Sequence, residues 1–271
     1  MAEIDSTRAH VGKFDSPADQ RSKPRLGTDQ DFRRRAVKAP DAWWPVLVID
    51  HLALPVLALL VRLPWVTPGL ITVVGAAFGV AAVGSFATGH LLLGAILFEL
   101  RFFADCLDGK LARLQGLTSQ RGAFLDLTMD VVLISSAMGA LGWHLSRSPA
   151  QLPAELPGAC TVSCLILFWL ICYDLGHPAV KSSYPLPRES ALARWRRHHR
   201  LKRLPGTVEV ETGLLFIAPL IGNAWLLTVC FVAAGAFYVV ASAHLFVRLL
   251  RRTSPPSRPR QNDPQSTQLA S

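Results

Sequence analysis

Cysteine is scarce in this sequence, and the few cysteines have none of the spacings that build a metal site or a disulfide framework. The 271 residues contain five cysteines, an odd number, and no pair has the form C-x-x-C. Neither a zinc site nor a disulfide framework is therefore indicated. Four of the five cysteines lie inside apolar runs, and we interpret them as small buried hydrophobic side chains.

Aliphatic residues are almost absent from the first 40 positions, which mix acids, bases, Pro, Ser and Gln. Such a segment cannot bury enough apolar surface to offset the entropy of ordering, so we expect residues 1–41 to be a disordered cytoplasmic tail. The segment also lacks the apolar stretch behind a basic start that a signal peptide needs. The basic end of the chain, residues 253–271, is expected to be a second disordered cytoplasmic tail.

Apolar sequence is what the chain has in excess. Hydrophobic residues make up 51% of it and the mean hydropathy is +0.31. Runs long enough to cross a bilayer, about 20 residues each, recur along the chain. We therefore predict an all-α integral membrane protein whose membrane-embedded domain covers residues 42–252. Six transmembrane helices are expected near residues 67–87, from residue 90 into an acidic motif, and near residues 122–143, 158–173, 207–221 and 225–247.

The segment 43–62 is also apolar, but two prolines and Asp50 interrupt it. An aspartate deep in lipid would be costly. We therefore expect an interfacial amphipathic helix that lies along the membrane ahead of the six spans, with Trp43 and Trp44 at headgroup level. A seventh span is the alternative.

The net charge of +9 arises from basic residues between and beyond the apolar runs, above all in residues 178–206. Positive charge alone would suggest a nucleic acid as partner. This placement instead follows the positive-inside rule, so we expect no nucleic acid and favour anionic membrane lipids. The rule places the basic loop in the cytoplasm, and six spans then place both termini and the acidic motif on the cytoplasmic side of the cell membrane.

Four aspartates stand at the membrane edge between residues 105 and 130. Residues three or four apart share a helix face, so Asp105 and Asp108 point together from one helix, and Asp126 and Asp130 from the next. The short polar link between the two pairs indicates that the helices lie side by side. Four converging like charges repel one another unless cations lie between them. Because oxygen-only ligands favour hard cations, the motif predicts bound Mg²⁺ or Mn²⁺.

Small residues accompany the aspartates. Gly109, Ala112 and Gly122 leave room for a flat or phosphorylated ligand to approach the backbone, although a glycine inside a helix costs about 0.8–1.0 kcal/mol relative to alanine. Arg113 can offer a phosphate a bidentate donor. Together these residues describe a site for a metal-bound diphosphate.

The motif reads D-x-x-D-G-x-x-A-R and, after eight residues, G-x-x-x-D-x-x-x-D. It resembles the signature of the CDP-alcohol phosphotransferase family, with every fixed position filled. The resemblance implies a metal-dependent transferase of phospholipid biosynthesis. Such an enzyme moves a substituted phosphate, here a phosphatidyl group, from a CDP-alcohol such as CDP-diacylglycerol to an acceptor hydroxyl and releases CMP. The resemblance also implies a homodimer.

The resemblance further implies a role for each motif residue. Two divalent ions would be held by the four aspartates, Asp105, Asp108, Asp126 and Asp130. Asp130 would also be the catalytic base that takes the proton from the acceptor alcohol. The cytidine nucleotide site would be lined by Gly109, Ala112, Arg113 and Gly122.

Charged residues outside the motif have simpler interpretations. We expect Glu99 and Arg101 to form a local ion pair at the interface, and Lys110 to extend toward lipid headgroups. The two glutamates of segment 207–212 could face the same cavity as the aspartates. In relatives that accept inositol phosphate this region tends to carry Arg next to Glu, and its absence here weakens that choice of acceptor.

Three other classes of protein could use such an acidic cluster. An ion-coupled transporter would place it near the bilayer midplane between inverted repeats, and the sequence shows no repeat. A family member without activity could bind a lipid or a partner. Such a protein would not need a complete motif, so the complete motif found here argues against this alternative. A prenyl-diphosphate synthase holds magnesium with acid-rich helices, but its motifs are spaced differently and its fold is normally soluble.

Overall fold

The computed structural model of the chain describes residues 29–38, 41–148, 152–176, 195, 198–202 and 206–253. All the regular secondary-structure elements among these residues are helices. The β contact is an isolated parallel bridge between Asp41 and Leu201. The helices are α1 (Asp29–Ala36), α2 (Pro45–Leu60), α3 (Pro68–Ala87), α4 (Leu91–Gln115), α5 (Gln120–Arg147), α6 (Glu155–Gly176), α7 (Thr207–Thr212, the π-helical turn Gly213–Ile217, and Ala218–Ile221) and α8 (Ala224–Thr253). The prediction of an all-α fold is confirmed for the described residues.

Local sequence signals set the ends of the helices around the motif. The Thr67 hydroxyl accepts a hydrogen bond from the backbone N–H three residues on, at 3.2 Å, and so caps the start of α3. Gly116, with φ of +67°, ends α4 in a left-handed conformation that glycine adopts without steric cost. The Ser119 hydroxyl then caps α5 by accepting from Gly122 N at 3.0 Å. The two halves of the motif therefore fall on consecutive helices, α4 and α5.

Within the described part of the chain, four helices are long and apolar enough to cross a membrane. They are Pro68–Ala87, Gly122–Arg147, Glu155–Asp174 and Ala224–Arg251. Large apolar side chains cover their outer surfaces, and Trp225 is the most exposed of them at 76%. A surface of this kind suits hydrocarbon better than water. The length and composition of these helices indicate a multi-pass membrane protein.

The helices pack in an order that brings the two motif helices to one place. Helix α3 packs along both α4 and α5, while α6 packs along α5 and α8. Phe86, Met138, Leu214 and Phe231 belong to the main buried cluster that joins these helices. This packing holds the acidic faces of α4 and α5 around the N-terminal half of α3.

Helix α2 packs on the C-terminal half of α4. Ile49 and Leu57 of α2 lie in a second buried cluster with Leu107 and Leu111 of α4. This helix begins with the π-helical turn Pro45–Ile49. Its apolar face is therefore turned toward the motif helix.

Asp50 lies inside this contact and is only 5% exposed. Lys110 Nζ lies 3.0 Å from Asp50 Oδ1, and Arg200 Nη2 donates to Asp50 Oδ2 at 2.8 Å. The prediction that Lys110 extends toward the headgroups is wrong. A carboxylate buried without a partner is far more costly than a buried ion pair, so Lys110 turns inward to meet Asp50.

Helix α1 lies within the segment 1–41, which was expected to be disordered. Phe32 and Ala36 pack against the cluster formed by α2 and α4, and Arg113 Nε donates to the Ala36 carbonyl at 2.9 Å. The structure differs from the expectation over Asp29–Ala36 because a distant surface supplies the apolar contacts that the segment lacks by itself. Residues 1–28, 254–271 and most of the basic loop 178–206 lie outside the described residues.

Candidate active site

Three of the four motif aspartates converge. Asp105 and Asp108 of α4 and Asp126 of α5 each place a carboxylate oxygen within 4.8 Å of the other two. The spacing along each helix puts these side chains on one face, and the packing of α3 against both helices turns the two faces together. The predicted convergence across the two helices therefore holds for these three residues.

Thr72 of α3 holds one of the carboxylates in place. Its hydroxyl donates to Asp108 Oδ2 at 2.6 Å, and Asp108 is buried. A hydroxyl that donates to a carboxylate limits its rotation and leaves the other oxygen free to bind a ligand. No local pattern marks this residue, because Thr72 lies in an apolar span 36 positions before its partner.

A cavity opens over the cluster. Its polar lining comes from the four aspartates together with Thr72 and Arg101, and its apolar lining from Gly75, Ala76, Met129 and Leu133. The predicted metal and base residues therefore share one cavity. Arg101 is the one cation among these lining residues.

The fourth aspartate, Asp130, forms an ion pair with Arg101. Arg101 Nη2 donates to Asp130 Oδ1, and the Arg101 side chain is almost fully buried. The expected pair between Glu99 and Arg101 is wrong, because side chains two positions apart point to opposite sides of a helix. Glu99 instead accepts a hydrogen bond from Trp44 Nε1 at 2.8 Å.

The donor set of the cluster fits a hard divalent cation. Three carboxylates offer only oxygen atoms, and their charges repel one another at these separations unless positive charge lies between them. Oxygen ligands of this type are the ones that Mg²⁺ and Mn²⁺ prefer. Asp105, Asp108 and Asp126 are the residues that could hold such an ion.

The four residues expected at the nucleotide site lie beyond the cavity. None of Gly109, Ala112, Arg113 and Gly122 is among the described residues that line it. Gly109, Ala112 and Arg113 follow the first aspartate pair on α4, and Gly122 precedes the second pair on α5. All four residues therefore lie in sequence between the aspartate pairs and the link that joins the two helices.

The two glutamates of segment 207–212 lie in different places. Glu209 accepts hydrogen bonds from Trp43 N at 2.5 Å and from Gly206 N at 2.6 Å, and so ties the start of α7 to the start of α2. Glu211 is buried and accepts from the Tyr238 hydroxyl at 3.4 Å. Neither lines the cavity over the aspartates among the described residues.

The sequence model of the CDP-alcohol phosphatidyltransferase family matches residues 65–193. Just under half of this chain is therefore similar to that family. The matched residues include the whole aspartate motif, and the resemblance found in the sequence is thereby confirmed.

Curated relatives of this domain are named as synthases of inositol-containing phospholipids. A phosphatidylinositol phosphate synthase of Corynebacterium glutamicum is 38% identical over 120 residues, which are 44% of this chain and 53% of the relative. An archaetidylinositol phosphate synthase of Pyrococcus horikoshii is 35% identical over 81 residues, or 28% of this chain and 43% of the relative. The chain thus spans about half, or less, of the length of these relatives.

Two further similarities concern the fold and the membrane. The inner membrane protein YnjF of Escherichia coli is 42% identical over 67 residues, which are 25% of this chain and 32% of that protein. The crystal structure of a Mycobacterium tuberculosis phosphatidylinositol phosphate synthase with CDP-DAG bound superposes with a TM-score of 0.56 at 21% identity. It covers 79% of this chain and 100% of that one, so the two proteins share a fold.

Proposed function

We propose that this protein transfers a substituted phosphate group, phosphatidyl in the simplest case, from a CDP-alcohol to an acceptor hydroxyl and releases CMP. The observation that carries the proposal is the cavity that all four motif aspartates line, in which three converge and the fourth, Asp130, is paired with Arg101. The cavity lies within the segment that matches the family. CDP-diacylglycerol is the proposed donor, and phospholipid biosynthesis is the proposed context.

Asp130 is the proposed base of the reaction. Its carboxylate accepts the proton of the acceptor hydroxyl, and the hydroxyl oxygen then forms a bond to the β-phosphorus of the CDP-alcohol. The bond from that phosphorus to the oxygen that bridges the two phosphates breaks, and CMP leaves with the bridging oxygen. The products are a phosphodiester and CMP, so atoms and charge balance.

Two Mg²⁺ or Mn²⁺ ions are proposed to be held by the four motif aspartates, Asp105, Asp108, Asp126 and Asp130. When bound, such ions neutralise charge on the diphosphate and on the departing CMP. Thr72 fixes Asp108 for this task through their 2.6 Å hydrogen bond. Gly109, Ala112, Arg113 and Gly122 are proposed to line the adjoining nucleotide site, where small residues admit the cytidine and the arginine binds phosphate.

The membrane arrangement that suits this reaction has six spans, α3 to α8, with α2 lying in the interface. We propose that residues 42–252 form the embedded domain, that the tails 1–41 and 253–271 are cytoplasmic, and that the aspartate cavity opens on the same side. A lipid donor could then enter sideways between helices while a polar acceptor arrives from the cytoplasm. A homodimer is proposed from the family resemblance.

A CMP-release assay tests the proposal. The purified protein is placed in liposomes with labelled CDP-diacylglycerol and a panel of acceptors that includes inositol phosphate, glycerol 3-phosphate and a second lipid alcohol. We expect CMP release with one of them, loss of the activity in EDTA, and recovery with Mg²⁺ or Mn²⁺. Inositol phosphate belongs in the panel because of the relatives' names, although segment 207–212 argues against it.

Asp130→Asn is the decisive variant of the assay. Loss of the base should lower CMP release by about 10²–10⁴-fold and spare nucleotide binding. Glu155→Gln, a change at an exposed acid at the start of α6, is the matched control and should keep full activity. Full turnover by Asp130→Asn would contradict the proposed mechanism, and nucleotide binding without CMP release in the wild type would indicate a binding protein instead.

A further inference from the structure

We propose that the N-terminal helix α1 positions Arg113 for the nucleotide part of the CDP-alcohol, through the hydrogen bond from this arginine to the carbonyl at the end of α1. The inference rests on the proposed function, in which Arg113 binds phosphate. Arg113 Nε donates to the Ala36 carbonyl at 2.9 Å, and the two residues are 77 positions apart. Helix α1 lies outside residues 65–193, the segment similar to the family, so the family motif does not specify this contact.

Ala36 ends α1 with a carbonyl that its own helix cannot satisfy. In a continuing helix this oxygen would accept from the backbone N–H four residues on, but position 40 is a proline, which has no N–H. The last carbonyls of a helix also carry its partial negative charge. Because Ala36 is fully buried, its carbonyl needs a donor from the protein, and a cationic donor suits it best. Arg113 meets both requirements.

A short apolar face of α1 fixes where this carbonyl lies. Phe32 and Ala36 are four positions apart and so share one side of the helix. Both pack against the buried cluster that includes Leu111 and Leu114 of α4. The opposite side of α1 carries exposed arginines, among them Arg34. Packing of the apolar face therefore sets the position of the Ala36 carbonyl relative to the Arg113 side chain.

The guanidinium of Arg113 is folded back along α4. A Cβ atom on Gly109 would lie 3.5 Å from Arg113 Nη1, so the guanidinium lies about one helical turn nearer to the aspartates than the Cα atom of Arg113 does. Gly109 directly follows Asp108, which lines the cavity. Arg113 is half-buried, and a ligand can therefore still reach it.

The hydrogen bond divides the donors of Arg113 between the protein and a ligand. A guanidinium has five N–H groups, and the Ala36 carbonyl takes the one on Nε. Within the described residues Arg113 makes no second hydrogen bond, which leaves Nη1 and Nη2 for phosphate oxygens.

The consequence is a pre-organised phosphate ligand. A mobile arginine loses the freedom of several rotatable bonds when it binds a phosphate, and this loss weakens binding. An arginine that is already held at Nε has given up part of that freedom before the nucleotide arrives. Helix α1 therefore raises the affinity for the nucleotide without touching it.

Phe32→Ser tests the inference in the full chain, because it removes the ring that docks α1 and leaves the motif intact. We expect the Kd for CDP, measured by isothermal titration calorimetry in detergent with Mg²⁺, to rise by about 5-fold or more. The KM for CDP-diacylglycerol should rise by a similar factor, while kcat changes by less than about 2-fold. Phe32→Leu keeps an apolar contact and should stay within about 2-fold of the wild type. Arg34→Gln, on the exposed side of the same helix, is the matched control and should change none of these constants.

A double variant shows whether α1 acts through Arg113. Arg113→Gln should raise the Kd for CDP by about 10-fold or more, and Phe32→Ser should cause no further rise in that background, because groups that act as a unit are non-additive. A further rise would overturn the inference. An unchanged Kd for CDP in Phe32→Ser would overturn it too, even with a lower unfolding midpoint, because α1 would then only support the fold. A lower kcat with unchanged KM in Phe32→Ser would have the same meaning.

Hydrogen exchange of the α1 amides gives a readout that needs neither turnover nor a variant with a weakened α1. If docked α1 favours CDP binding, bound CDP must favour docked α1 by the same factor. Saturating CDP should therefore slow exchange of the Val37 amide, which donates to the Arg33 carbonyl at 3.0 Å, by about 5-fold in the wild type and not in Arg113→Gln. Equal exchange with and without CDP in the wild type would overturn the inference. Failure of the wild type to bind CDP would contradict the proposed function itself.

Discussion

Buried charges in this protein are paired across long stretches of sequence, and Asp50 is the clearest case. Its Oδ1 lies 3.0 Å from Nζ of Lys110, which is 60 positions away in the sequence. Its Oδ2 accepts a 2.8 Å hydrogen bond from Nη2 of Arg200, which is 150 positions away. Arg200 adopts φ of +60°, a left-handed conformation that is unfavourable for an arginine. In that conformation it donates to the Lys38 carbonyl at 3.2 Å as well. Asp50 therefore links α2 and the end of the basic loop to the motif helix.

Asp50→Asn should destabilise the protein strongly. The change leaves Lys110 buried without its counter-charge, which typically costs about 3–5 kcal/mol. The midpoint of thermal unfolding in detergent measures the effect. Adding Lys110→Met in the same chain removes the unpaired buried charge and should recover much of the lost stability. An unchanged midpoint in the single variant would show that the pair contributes little.

At the scale of elements, α3 depends on glycine for its close approach to α4 and α5. A Cβ atom on Gly75 would lie 3.1 Å from Ala104 Cβ, and one on Gly79 would lie 2.7 Å from Leu133 Cδ1. These glycines let the backbone of α3 lie between the two motif helices. The same closeness allows Thr72 to reach Asp108.

Gly75→Val should push α3 away from α4. We expect a loss of stability of about 1–3 kcal/mol from overpacking. The movement also draws Thr72 off Asp108, so metal-dependent CMP release should fall together with the unfolding midpoint. Gly84→Val is a matched control on the same helix, because nothing lies within 4 Å of a Cβ there. Equal effects of the two substitutions would argue against the packing explanation.

At the scale of the whole molecule, the proposed orientation places the link between α4 and α5 in the cytoplasm. Leu117 in this link is 62% exposed, and unlike its neighbour Ser119 it does not cap a helix. Ala154, just before α6, is exposed and lies on the opposite side of the membrane in the same arrangement. These two positions can therefore report the sidedness of the protein.

Leu117→Cys should react with a membrane-impermeant thiol reagent from the cytoplasmic side only, and Ala154→Cys from the outer side only. The positive charge of the loops sets this orientation. Labelling is measured in oriented vesicles against the unsubstituted chain, because the native Cys106, Cys172 and Cys230 are partly exposed. The reverse labelling pattern would overturn the topology and the cytoplasmic position of the cavity.

Much of the helix plan follows from local sequence. Apolar run length indicates the helices, Thr67 and Ser119 mark two starts, and Gly116 marks an end. These features are readable because capping and periodicity act over a few residues. The meeting of Asp105 and Asp108 with Asp126 was predictable for the same reason, since each half of the motif keeps a helical spacing and the link between them is short.

The sequence by itself determined most of the helices, the aspartate motif and its resemblance to a family, because each rests on residues that are neighbours along the chain. The tertiary structure alone decided which charges are partners. Arg101 pairs with Asp130 and not with Glu99, Lys110 turns inward to Asp50, and α1 finds an apolar surface on α4. A buried charge takes the partner that packing brings nearest, and that distance is set by contacts between helices far apart in sequence.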